Sequence, residues 1–176
     1  MNVIAIIAFL ISLAAAIPFQ EDVKKASVMV FGNEDRVLLL NAIAEVESTW
    51  RTDARSPTNA KGLMQFTSIA RKQVGITEPR LKGFNPDDPK KALFAAAVLL
   101  KHYKKQFFRQ TECEGWRRAI VAYNVGDGSV RKAIRLGGKN WLKKVNKSGR
   151  NYIKKVSKAE KEYFTSGEIS GKLTCT

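Results

Sequence analysis

The sequence predicts an all-α fold, a single domain of about seven helices arranged around one buried helix. Three observations lead there. No segment sustains the period-two alternation of a half-buried strand. Apolar residues recur at helical spacing through the 34–49 region, where Leu40, Ile43 and Ala44 share a stripe. The run ALFAAAVLL in the 88–108 segment is too continuously apolar for a surface helix, so that helix is expected at the centre.

The elements follow in order. Asn33 is a candidate N-cap for a helix opening at Glu34-Asp35, where acidic residues suit the positive end of the helix dipole, and running to about Thr49. A polar, turn-rich stretch spans Arg51 to Lys61, and a second helix is expected from Leu63 to Gly75. Pro79, Gly83 and Pro86 make 76–88 a loop. Asp88-Pro89 reads as N-cap and first helical residue of the long apolar helix to Phe108. A Thr111–Gly115 loop precedes a short helix WRRAIVAYNV, stopped by Gly126. A helix restarts at Asp127 or Gly128 and ends at Gly137-Gly138, and two more are expected over Asn140–Asn146 and Arg150–Phe164.

The boundaries expected from this pass are 1–16, a signal peptide or short membrane anchor; 17–32, a lead-in; 33–164, the folded domain; and 165–176, a C-terminal tail. The first of these rests on the apolar run Val3–Leu13 and on Ala14 and Ala16, a small-x-small pattern with cleavage expected after Ala16. A retained anchor and a buried N-terminal helix are the alternatives, in that order; Pro18 ends the run short of the roughly 20 residues a spanning helix needs. Export makes a Cys113–Cys175 disulfide the favoured state of the two cysteines, with two free thiols the alternative in a reducing compartment. One His and two distant Cys match no metal-ligand spacing, and no cofactor is expected; His102, among apolar residues of the long helix, reads as structural.

Lys and Arg number 31 against 16 Asp and Glu, a net charge of +15 that implies an acidic partner. Twelve of the cations fall between Arg131 and Lys161, where Glu160 is the one acid. A solvated helix face is the plain explanation. Anionic wall polymers or a membrane surface are the functional one; nucleic acid is disfavoured because no nucleic-acid-binding signature accompanies the charge.

Glu47 is the residue out of place. It continues the Leu40, Ile43, Ala44 stripe, whereas Glu45, about 200° round the helix, faces water. Burial disfavours the charged carboxylate and raises its pKa, so an acid held there near neutral pH can donate a proton. An ordinary helical glutamate paired with one of the many cations remains the alternative on this ground alone.

The residues after it add a resemblance. Glu47-Ser48, followed by Ser56-Pro57-Thr58-Asn59-Ala60-Lys61-Gly62-Leu63-Met64-Gln65, resembles the first motif of the soluble lytic transglycosylase (SLT) family, which has a goose-type lysozyme-like fold. Asn59 stands where that family usually has Gly; Asn is the side chain most at ease at positive φ, so the turn can persist. Ala122-Tyr123-Asn124-Val125-Gly126-Asp127-Gly128 resembles the second motif, with Val125 for the usual Ala, and Tyr152-Ile153-Lys154-Lys155-Val156 the third. Three motifs in family order over about residues 33–164 make the resemblance specific.

The resemblance implies a lysozyme-like domain and one catalytic residue, Glu47. It implies that Ser56 helps to position that carboxyl and that Met64, Gln65, Tyr123 and Asn124 line a sugar groove. Each has a plainer reading, Met64 and Tyr123 as core residues and Asn124 as a helix-end residue. It further implies cleavage of the N-acetylmuramic acid to N-acetylglucosamine bond of peptidoglycan strands, with closure of a 1,6-anhydro ring. A monomer is expected, placed by the 1–16 reading in the periplasm or cell envelope, with a phage particle or lysis product acting on the wall as the other setting. Two alternatives stand beside it: a hydrolysing muramidase that uses Asp53 or Asp127 to orient water, and a non-catalytic cationic protein binding envelope or nucleic acid.

Overall fold

The computed structural model describes residues 17–175; the apolar stretch read as a signal peptide or anchor, 1–16, lies outside them. Among the described residues the chain forms eight α-helices and two short 3-10 turns, with only isolated β-bridges at Arg55–Lys61 and Lys61–Phe66. The predicted all-α class is what the structure shows.

The segment read as a lead-in is itself a helix, α1 (Gln20–Phe31). Val23, Ala26, Ser27 and Val30 are its buried residues, spaced i, i+3, i+4, i+7, and it packs against the long central helix. Gly32 ends it at φ 85°, donating its N–H to Val28 O. Two exposed apolar residues, Val28 and Met29, blur that stripe in the sequence.

Helix α2 (Val37–Ser48) starts three residues later than expected. Asn33 does not cap it: the Asn33 Oδ1 accepts from Asp35 N at 3.0 Å, closing a turn before the helix. From Val37 to Ala44 every side chain is buried. Thr49 and Trp50 then take positive φ and reverse the chain one residue beyond the Glu47-Ser48 pair.

The second predicted helix begins not at Leu63 but at Ser68: α3 spans Ser68–Thr77, with Thr67 Oγ1 accepting from Ala70 N. Residues 54–66 instead fold into a tight double turn. Asn59, Gly62 and Gln65 all have positive φ, which no helix tolerates. Gly62 is obligatory, since a Cβ there would lie 1.8 Å from Pro86 O. Arg55 pins the turn by a fork to Asp87, at 2.9 and 2.6 Å.

Helix α4 (Pro89–Gln106) is the expected central helix. Asp88 caps it through Lys90 N and Lys91 N, and Ala95 to Leu100 are buried throughout. It contacts α1, α2, α3 and α5. Each large apolar side chain buried there contributes roughly 1.5–3 kcal/mol relative to exposure. Helix α5 (Glu112–Val125) includes most of the predicted 111–115 loop, because Thr111 caps it by accepting from Glu114 N. Helices α6 (Asp127–Gly137), α7 (Trp141–Lys144) and α8 (Lys147–Ser166) follow, the last capped by Asn146. Helix α8 returns to pack on both α2 and α5.

The residues after α8 run back over the fold as a strap. Lys172 pairs with Asp35 at 3.2 Å, Thr174 donates both N–H and O–H to Glu160, and Cys175 is disulfide-bonded to Cys113 in the first turn of α5. By closing a 62-residue loop, the bridge stabilises the fold by roughly 4 kcal/mol on the chain-entropy model.

Candidate active site

Glu47 ends the apolar face of α2 at the floor of a cleft of about 440 Å³. The cleft lies between the 56–67 turn with α3 on one side and the α5–α6 junction on the other, with Leu99 and Tyr103 of α4 below. The side chain is half-buried. Its Oε1 accepts from the hydroxyl of Tyr152 on α8 at 2.7 Å. No Lys or Arg forms an ion pair with it among the described residues. Burial raises its pKa from 4.5 to about 7, and the Tyr152 bond works against that rise. An acid that is half protonated at neutral pH, in a cleft and next to a neutral donor, can give up a proton and take one back.

Of the residues proposed to bind substrate, Ser56, Gln65, Tyr123 and Asn124 line this same cleft. Gln65 is held by donating its Nε2 to Gly62 O at 2.9 Å and Ala54 O at 3.2 Å; no group among the described residues donates to its Oε1. Tyr123 donates to Met64 O at 3.0 Å, and its ring sits edge-on to Phe66. Asn124, exposed on the cleft rim, accepts from Ser148 Oγ at 3.0 Å.

Two of the expected roles change. Met64 does not line the groove: its side chain is fully buried, and its part is the backbone carbonyl that anchors Tyr123. The reason is local, because positive φ at Gly62 and Gln65 turns the Leu63-Met64 side chains inward and the Gln65 side chain outward. Ser56 makes no hydrogen bond to Glu47 among the described residues. Its hydroxyl accepts from Ala60 N and meets Thr58 Oγ1, so it braces its own turn.

The group that orients Glu47 is Tyr152, which the sequence does not mark as a site residue. It sits 105 residues away and is buried, and burial pushes its hydroxyl well above the usual tyrosine value. Its only signal in the sequence is its place at the head of the third motif. Tyr103 is a second residue not foreseen: it lines the cleft floor, and burial with the nearby Asp127 charge pushes its hydroxyl to about 12. Both tyrosines therefore stay neutral donors across physiological pH.

Of the two candidate second carboxylates, Asp53 is exposed and outside the cleft lining, whereas Asp127 lines it and pairs with Arg131 at 3.3 Å. Among the described residues no three His, Cys, Asp or Glu side chains stand close enough to hold a metal ion.

Comparison with known proteins adds to this geometry. The family model "Transglycosylase SLT domain" matches residues 32–146. The chain is 33% identical over 147 residues to membrane-bound lytic murein transglycosylase F of Alcanivorax borkumensis, an alignment covering 80% of this chain and 30% of that protein. The chain thus spans under a third of that relative. Two solved structures share its fold. An inactive mutant of lytic transglycosylase Slt from Pseudomonas aeruginosa superposes with TM-score 0.70 at 20% identity, over 91% of this chain and 26% of that one. The 70 kDa soluble lytic transglycosylase of Escherichia coli gives 0.69 at 23% identity, over 89% and 25%.

Proposed function

The chain belongs to the transglycosylase SLT domain family, and on that premise we propose that it is a peptidoglycan lytic transglycosylase with Glu47 as acid and then base. One observation carries the reading: Glu47 lies at the floor of a cleft and, among the described residues, accepts from a neutral tyrosine alone, while burial raises its pKa to about 7. Protonated Glu47 gives its proton to the oxygen between N-acetylmuramic acid and N-acetylglucosamine as the C1–O bond breaks. The carboxylate then takes the proton of the muramic C6 hydroxyl, whose oxygen bonds to C1. The nucleophile belongs to the sugar, so the step needs neither a second carboxylate nor an activated water. Gln65 and Asn124 supply polar contacts for the glycan, and Tyr152 holds the carboxyl in place.

Asp127 supports a second reading, in which it orients a water and the product is a free reducing end. Mass spectrometry of products from purified peptidoglycan separates the two. Anhydro-muramic ends, lighter by one water, are expected; reducing ends alone would replace the transglycosylase by a hydrolase.

The setting that fits is the cell envelope, with residues 1–16 as export signal or anchor and the exposed cations of 131–161 drawn to anionic envelope material. Of those cations only Arg131 and Lys158 have a carboxylate partner among the described residues. The attraction should weaken as salt rises.

A further inference from the structure

A second groove, of about 580 Å³, lies between α5, α7, α8 and the C-terminal strap. Its apolar lining is Ile120, Leu142, Ile153 and Leu173. Its charged lining is Arg117, Lys154, Lys158 and Lys161, all exposed. Lys154 and Lys161 have no carboxylate partner among the described residues, and the pairs of Arg117 with Glu114 at 3.6 Å and Lys158 with Glu162 at 3.5 Å are surface pairs. Such pairs are worth little and leave the cations available. The single acid of the lining, Glu160, is turned inward: it is 4% exposed, and its Oε1 takes both Thr174 bonds. The groove therefore shows an apolar floor and a cationic rim.

Along α8, Ser157, Lys161 and Phe164 follow the i, i+4, i+7 spacing of one face. Phe164 is 50% exposed and extends the apolar floor beyond the groove. Lys161 lies about 180° round the helix from Tyr152. The groove and the Glu47 cleft share no lining residue, so filling one leaves the other free.

We propose that this groove docks an anionic phospholipid at a membrane surface, with Lys154, Lys158 and Lys161 on the phosphate and an acyl segment over Ile120, Leu142 and Ile153. The proposal rests on the envelope setting above and goes beyond it in assigning the groove. The apolar floor decides between anions. A wall polyphosphate or a nucleic acid has no acyl chain to lay on Leu142 and Ile153, whereas a phospholipid matches both parts.

The test is co-sedimentation of the full chain with vesicles of phosphatidylcholine alone or mixed equally with phosphatidylglycerol. Every variant carries the same residues 1–16, so differences between variants report the folded surface. Reversing Lys154, Lys158 and Lys161 together to Glu should cut partitioning onto the mixed vesicles by at least about 100-fold, since losing each cation near an anionic surface costs roughly a factor of five and each added carboxylate is repelled. The same reversal at exposed Lys132, Lys139 and Lys143 should cost less than about 10-fold. Phe164→Ser and, independently, Leu142→Ser should each lower partitioning several-fold at unchanged charge. Equal losses from the two triple reversals, or no loss from both apolar variants, would overturn the groove in favour of unspecific attraction. Loss of binding to polyphosphate or to purified peptidoglycan, with vesicle binding unchanged, would overturn it in favour of a wall polymer. Turnover on purified peptidoglycan should be the same in all these variants. If the wild type shows no turnover but keeps its groove-dependent vesicle binding, the transglycosylase reading fails and the docking site stands.

Discussion

Glu47 on α2 and Glu160 on α8 both leave water when the chain folds, and burial raises the pKa of each. Their surroundings then part. Glu47 faces a cleft of about 440 Å³ and, among the described residues, accepts one bond, from the Tyr152 hydroxyl. Glu160, in the wall of the second groove, is turned inward beneath the C-terminal strap and accepts two bonds to one oxygen, the N–H and the O–H of Thr174, which oppose the rise that burial causes. A desolvated carboxyl is thus not enough to make a reactive acid. Access to a substrate and a single neutral donor leave Glu47 free to trade its proton, while the double clamp makes Glu160 an anchor for the tail.

The widest separation between the two should appear in activity. Glu47→Gln should lower lytic turnover on peptidoglycan about 10³-fold with an unchanged helical circular dichroism spectrum. Glu160→Gln should leave turnover within about twofold, since it touches nothing in the cleft. A large loss from Glu160→Gln, or a small one from Glu47→Gln, would erase the distinction.

Stability should show the reverse ordering. Replacing Cys113 and Cys175 by Ser frees the strap over Glu160, and should cost about 4 kcal/mol in denaturant unfolding while the folded protein keeps its turnover. A double variant inactive while still folded would mean that the strap reaches the Glu47 cleft.

Next comes the pH dependence of stability. The folded chain holds the Glu47 proton up to about pH 7, whereas the unfolded chain releases it near 4.5. More protons on the folded state mean that stability falls as pH rises through that window. Below it the group is neutral in both states and costs nothing; above it, keeping the charge buried costs about 3 kcal/mol. Glu47→Gln should therefore raise Tm at about pH 8 and leave it unchanged at about pH 4, with turnover falling in the wild type as pH rises past 7. A variant equally or less stable at the higher pH would show that Glu47 is not desolvated.

The smallest effect should come from Tyr152→Phe. Losing one neutral bond should lower kcat about 10-fold. It should also move the alkaline limb of the pH–rate profile upward, because that bond is what opposes the burial-driven rise. A downward move would assign the rise to something other than burial.

What could be read in the sequence was what repeats along the chain. Glu47 stood out because it sits in register with Leu40, Ile43 and Ala44, and Asp88-Pro89 fixed the start of α4 because both residues act within one turn. Asn59 was expected to tolerate positive φ, and it has φ 62°. Contacts between distant segments left no such trace. Tyr152 finds Glu47 across 105 residues, and nothing along either helix announces it. Met64 was misplaced for a related reason. The GLMQ segment looks helical, but the backbone twist at Gly62 and Gln65 decides which side chain meets the cleft, and Pro86 from another loop imposes part of that twist. Helix α1 is hidden in the sequence because Val28 and Met29 spread apolar residues onto its wet side.

Gly62 touches Pro86 so closely that only a hydrogen atom fits between the two backbones. The wall carrying Ser56 and Gln65 therefore cannot move toward residues 85–88, and the Arg55–Asp87 fork ties it to them when it moves away. Local breathing of this region should be concerted, so the amides of 62 and 87 should exchange with solvent at matched rates. A sugar seated on Gln65 should then slow deuterium uptake at both loops together, although only one of them borders the cleft.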